Sequence, residues 1–190
     1  MSQFDRDTVL AMIKDGKPLD GMDLSGVDLS YENLKGASFV GSNLSKAHLQ
    51  NANLEGSNFK GANLSEAFLF GGNLMKANLD GARLEEANMQ DCNLDQASAK
   101  GANFSHTALL GSSIENADFS GANMTRARMK RASLKGSNFS GANLNNTHMV
   151  RCDLANASMV NANLEGAIMT NAILENTDLT GANTQNASGL

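Results

Sequence analysis

The sequence predicts an all-β solenoid, a chain of very short strands and turns coiled around one narrow core, and three observations predict it. Every fifth residue from Leu24 to Leu179 is Leu, Phe, Met or Ile, with Ala99 the one exception. Two residues earlier stands, almost every time, a small residue, as at Ala52, Ala62, Ala77, Ala122 and Ala162, with Ser, Thr, Gly or Cys as substitutes. Two residues after the large one there is often Gly, as at Gly26, Gly61 and Gly121, where positive φ is cheap, and Asn at many other units tolerates the same backbone region.

A period of five belongs to neither regular element. On a helix, five steps of about 100° carry successive large residues around the axis, so no apolar stripe forms. In a continuous strand an odd period throws them onto alternate faces. The small and large residues of one unit are two apart and share a face, so the remaining three-residue step has to hold a turn. Bending the same way each time, the chain coils with its large residues inside. Like residues recur at multiples of twenty: Phe39, Phe59, Phe119 and Phe139 in one register, Met89, Met129, Met149 and Met169 in another. Four units per coil, stacked at about 4.8 Å, bring like onto like.

Residues 1–18 stand outside the repeat and are expected to form an N-terminal cap. Asp5 or Asp7 can cap a short helix with apolar residues Phe4, Val9, Leu10, Met12 and Ile13, and Gly16 with Pro18 supplies the stop. A first coil with an open core needs such a lid. Residues 19–190 then run as one repeat domain without a linker, the pattern fading through Ala187, Ser188 and Gly189. No matching lid is read at that end, so an end-to-end homodimer through the last coil is expected.

With these residues in view, the chain resembles the pentapeptide repeat family, whose pattern is Ala-Asn/Asp-Leu followed by two variable residues. The resemblance covers roughly residues 19 to 188. It implies a right-handed quadrilateral β-helix, here of about eight coils with four pentapeptides in each. Some members of that family are DNA mimics that bind bacterial type II topoisomerases, gyrase and topoisomerase IV, and protect them from inhibitors, a role the resemblance offers as the alternative to a non-enzymatic rod that binds a protein partner. The topoisomerase-protecting relatives often carry loops inserted between repeats, and this chain has none. Service as a secretion-system accessory or effector is a further alternative.

Composition fits a solenoid. Aromatic residues make up 5% and Trp is absent, too thin for a globular core but suited to ladders of Leu, Met and Ala. A net charge of −5 argues against direct binding of nucleic acid or of anionic membranes. The acidic N-terminal stretch and the lack of any long apolar run lead to the expectation of a cytoplasmic protein. Cys92 and Cys152 hold the small inward position three coils apart, about 14 Å, so they are expected to stay reduced.

The chain carries no phosphate-binding glycine loop, no serine-hydrolase elbow and no cluster of metal ligands. His48 and His148 fall five coils apart, about 24 Å, and His106 falls on another face. Asn-Leu-Ser and Asn-Met-Thr triplets are by-products of the repeat. No enzyme activity, metal or cofactor is expected.

Outward positions that break the rule are the candidates for binding. The face centred on Leu24 keeps Asn or Asp before almost every large residue, Arg83 excepted. The face centred on Leu29 does not. It carries Phe68, Phe70, Ala108 and Leu110, then Arg128, Lys130, Val150 and Ile168, with Arg131 and Arg151 nearby. Apolar residues placed toward water beside cations are read as a surface for a protein partner. The face centred on Leu34 carries acids at Glu32, Glu55, Asp95, Glu115, Asp153 and Glu175, interrupted by Lys35, Lys76 and Lys135. That is the surface the DNA-mimic alternative would use.

Overall fold

The structure, a computed structural model, describes residues 4–190. The one helix among the described residues, α1, spans Arg6–Lys14, with Asp5 rather than Asp7 as N-cap: the Asp5 carboxylate accepts the Thr8 N–H at 2.8 Å. Gly16, at φ 68, closes it, its N–H donating to the Ile13 carbonyl while Lys17 donates to Met12, the paired bonds of a Schellman stop. Arg6 ties the helix to the rod through ion pairs with Asp28 and Glu32.

The rest is a right-handed quadrilateral β-helix. Asp23 bridges Asn43, Asn43 bridges Asn63 and Asn63 bridges Arg83, all in parallel, and the same twenty-residue step runs through every face to the Ile168–Ser188 pair. The strands are reduced to one bridged residue per unit, because each turn takes up the residues around it. The Phe39 and Phe59 rings lie 4.9 Å apart and 3° from parallel, as stacking at the rung spacing requires. We number the faces by a large residue of the first coils: first, Leu24; second, Leu29; third, Leu34; fourth, Phe39.

A unit that keeps Asn or Asp before its large residue satisfies its own backbone. In the second coil, Leu44 N–H donates upward to the Asn63 carbonyl at 2.6 Å and Lys46 N–H to Ser65 at 3.0 Å. Asn43 N–H donates back to Met22 at 2.9 Å, and Ala47 N–H closes the turn onto Leu44 at 3.0 Å. The fifth donor, Ser45 N–H, is taken by the Asn43 side chain at 3.2 Å. Asn or Asp before the large residue therefore exists to accept an N–H that the coil cannot pair. Many of these side chains also join in a ladder, Asn63 Nδ2 donating to Asn43 Oδ1 at 3.1 Å. The rung at Arg83 breaks the ladder, and Asn103 turns to Glu85 Oε1 at 2.8 Å instead.

Inside, the large residues from Leu19 to Met169 are fully buried. Ser at the small inward position is explained by its hydroxyl: Ser42 donates to the Leu19 carbonyl at 2.9 Å and Ser57 to Leu34 at 2.8 Å. The two cysteines copy this bond, Cys92 to Leu69 and Cys152 to Met129. Burial pushes both thiols up to about 12, so neither forms thiolate near neutrality. An alkylating reagent at pH 8 should leave both unmodified in the native protein and label both after denaturation, a difference that intact mass spectrometry reads directly.

The two ends differ. Under α1, Leu19, Leu24, Leu29 and Leu34 are as buried as any residue mid-rod, with Val9 fully buried against them. In the last coil Leu174 and Leu179 are only partly buried and Ile173 is 52% exposed. The N–H groups of Leu174, Asn176 and Leu179 there have no acceptor among the described residues.

Candidate partner-binding face

The second face departs from the rule in its backbone as well as its side chains. His48, Phe68, Asn88, Ala108, Arg128, His148 and Ile168 form one continuous parallel ladder. Phe68 and Phe70 are exposed and Ile168 borders on exposure, while Leu110 and Val150 are half-buried. The His48 and Phe68 rings lie 4.9 Å apart. Ala108 is the exception among the expected residues. It is only 3% exposed, because its methyl is too short to clear the bridged residues above and below it, Asn88 and Arg128, and it adds nothing to the surface.

The apolar residues therefore share a face without forming one patch. Phe68 and Phe70 lie toward the N-terminal end, Leu110, Val150 and Ile168 toward the other, and the coil bearing Asn88 and Gln90 separates them. Between Leu110 and Val150 runs a belt of exposed cations: Arg126, Arg128, Lys130 and Arg131 in one coil, Arg151 in the next. None of the five makes an ion pair among the described residues. Arg126 sits at the corner before this face, at φ 57, as Arg131 does at the corner after it, at φ 64.

The acidic set on the third face is different. Glu32 is paired with Arg6, Glu55 with Lys35 at 3.0 Å and Asp153 with Lys135 at 3.1 Å. The Lys135 ammonium is raised above its usual range by its hydrogen bond to Asp153. Asp95 accepts the Ser113 hydroxyl and the Glu115 N–H, and Glu115 accepts the Ser133 hydroxyl. Glu175 stands alone in the exposed last coil. Half of the six acids are thus neutralised by a neighbouring cation.

Elsewhere, His48, His106 and His148 are all exposed. No group of three or more His, Cys, Asp or Glu among the described residues is placed to hold a metal ion. No helix among the described residues is long and apolar enough to cross a membrane. A cavity of about 600 Å³ lies between α1 and the first coils, lined by Phe4, Arg6, Val27 and Asp28 among others.

Comparison with known proteins agrees with this architecture. A family model described as a pentapeptide repeat region matches residues 42–119 and 71–139, and one described as pentapeptide repeats (8 copies) matches 19–56 and 147–183. No curated protein matches the chain. Among solved structures it is similar to HetL, a pentapeptide repeat protein involved in heterocyst differentiation regulation from the cyanobacterium Nostoc sp. strain PCC 7120. The two are 27% identical over 97% of this chain and 94% of that one, with a TM-score of 0.65. Full-length QnrB1, a plasmid-mediated fluoroquinolone resistance protein, is 19% identical over 90% of each chain, with a TM-score of 0.56, a likeness of fold.

Proposed function

The chain belongs to the pentapeptide repeat family, and from that premise we propose that it is a non-enzymatic rod whose second face binds a protein partner. One observation carries the reading. The second face alone gives up the Asn/Asp rule over most of its length, and it presents exposed Phe68, Phe70 and Ile168 together with unpaired cations. A face kept only for stability has no reason to lose acceptors that the others retain. The likeness to HetL, a protein of regulation, supports a role through partners.

Phe70→Glu combined with Leu110→Glu should weaken capture of the partner at least about tenfold while the melting temperature stays nearly unchanged, because truncating interface anchors costs binding and surface substitutions cost little stability. Affinity capture and thermal melting read the two quantities. Unchanged capture would sink the assignment of this face.

The DNA-mimic alternative would use the acids of the third face. Pairing of Glu32, Glu55 and Asp153 leaves that face far from the charge density of a duplex, one negative charge per about 1.7 Å of axis, and so ranks it second. A gyrase supercoiling assay with added protein separates the two readings, inhibition favouring mimicry. The exposed last coil, with Ile173 and the free N–H groups of Leu174 and Leu179, is the edge on which we propose that a second copy docks.

A further inference from the structure

The second face holds a row of unpaired main-chain donors beside its cations. The N–H one residue after each large residue normally reaches an Asn or Asp oxygen, as Ser45 does at 3.2 Å and Thr125 at 3.2 Å. On the second face that acceptor is replaced by Ala108, Arg128, His148 and Ile168 in four successive coils. The N–H groups of Leu110, Lys130, Val150 and Thr170 consequently have no acceptor among the described residues. Gln50 and Phe70 repeat the gap nearer the N-terminus, whereas on the other faces, as at Glu85, Lys135 and Val160, it never falls in successive coils. Four donors thus follow one another at about 4.8 Å along the rod, flanked by Arg128, Lys130, Arg131 and Arg151.

The apolar features fit the same strip. Gly111 has no side chain to fill its corner, and the Asp91 carboxylate lies against it; the notch there, about 260 Å³, is walled by Leu110, Lys130 and Arg131 with Gln90 and Asp91 opposite. Val150 and Ile168 continue the apolar surface beyond the belt. Glu86 and Asp91, which have no cation partner among the described residues, close the strip at its N-terminal side. An occupant must therefore be anionic in the middle, aliphatic at its flanks and short.

Resting on the reading of this face as the partner surface, we infer that the strip from Leu110 to Thr170 docks an acidic amphipathic helix of the partner, laid along the rod. The three steps from Leu110 to Thr170 span about 14 Å, and three helical turns span about 16 Å. Carboxylates one turn apart then meet successive N–H groups and cations, while aliphatic neighbours enter the notch and cover Val150 and Ile168. Nucleic acid fits less well. Its phosphates continue past the belt, where Glu86, Asp91 and the protein's net charge of −5 oppose them.

The probe is a fluorescent synthetic peptide of about 18 residues, long enough to be helical, with Glu one turn apart along one side and Leu beside them. The controls are a peptide of identical composition with Glu spread around the helix, and a single-stranded oligothymidylate of equal charge. The patterned peptide should bind at least about tenfold more tightly than the shuffled one and weaken about tenfold as NaCl rises from about 0.05 to 0.5 M. Arg128→Glu with Lys130→Glu should lose at least about tenfold in affinity, whereas Lys60→Glu on the fourth face should change nothing. Ala108→Asn with His148→Asn restores acceptors for Leu110 and Val150 and leaves all five cations in place; it too should lose affinity, by about threefold or more. Equal binding of the two peptides, preference for the oligothymidylate, an unaltered Asn variant, or self-association of the free protein that the charge reversal abolishes would each overturn the inference. If the peptide fails while Phe70→Glu with Leu110→Glu still loses the natural partner, the helix is wrong and the face stands; if both fail, the face falls as well.

Discussion

Truncation of Phe104 to Ala should be among the most damaging single changes in this core, costing about 3–5 kcal/mol in chemical denaturation. The reason lies one unit earlier. Ala99 is the only small residue among the large inward positions, in a column that has Phe39, Phe59 and Leu79 before it and Phe119, Phe139 and Met159 after it. It leaves space that no residue of its own column fills. Phe104, in a column that from Leu24 to Leu164 is otherwise Leu and Met, is fully buried, and its ring lies 5.1 Å from that of Phe119, tilted by 50°. Phe119 stands directly above Ala99, so the Phe104 ring reaches across into the volume that Ala99 vacates.

The exchange predicts a double-mutant cycle. Ala99→Phe alone overfills the coil and should cost about 1–3 kcal/mol. Phe104→Leu alone leaves a void and should cost about 1–2 kcal/mol. Together they restore the pattern of the other coils, so the double variant should lie within about 1 kcal/mol of the starting protein. Additive losses would show that the two residues do not share space.

Val9→Asp is expected to cost about 3 kcal/mol or more, and to do so at one end only, because a carboxylate there has neither water nor a partner. Val9 is fully buried against the first coil. In a solenoid each coil touches only its neighbours, so amide exchange should speed up for Leu24 and Leu29 while Leu94 and Leu134 keep their protection. The last coil shows what the lid prevents: the same residue types, Leu174 and Leu179, are no longer fully buried. Uniform loss of protection along the chain would mean that the coils unfold as one unit and that α1 is not a local lid.

Much of this architecture was legible because period and register are written into every unit. The five-residue beat, the four units per coil, the stacking of Phe39 on Phe59 and the short helix before Leu19 all follow from local spacing. What escaped depends on contacts between faces or on the backbone. Phe104 looks like one more large residue until its neighbour across the corner is known. The pairing of Lys35 with Glu55 was signalled by their twenty-residue separation, but Lys135 with Asp153 and Arg6 with Glu32 were not so spaced. Ala108 holds an outward position in the repeat, yet its methyl lies below the surface. The open N–H row was hidden for a different reason. Asn and Asp read as turn formers, and only the hydrogen bonds reveal that losing them on the second face frees a donor in each of four successive coils.

The unbroken corners carry one more consequence. Because every side is five residues long, loss or gain of one pentapeptide would turn all that follows by a quarter revolution, carrying Arg128 and Lys130 out of line with Phe68 and Phe70. Loss or gain of twenty would change only the length and leave that alignment intact. Such a rod can therefore grow or shrink by whole coils as a ruler is cut by the inch, and change of any other size rewrites which residues look the same way.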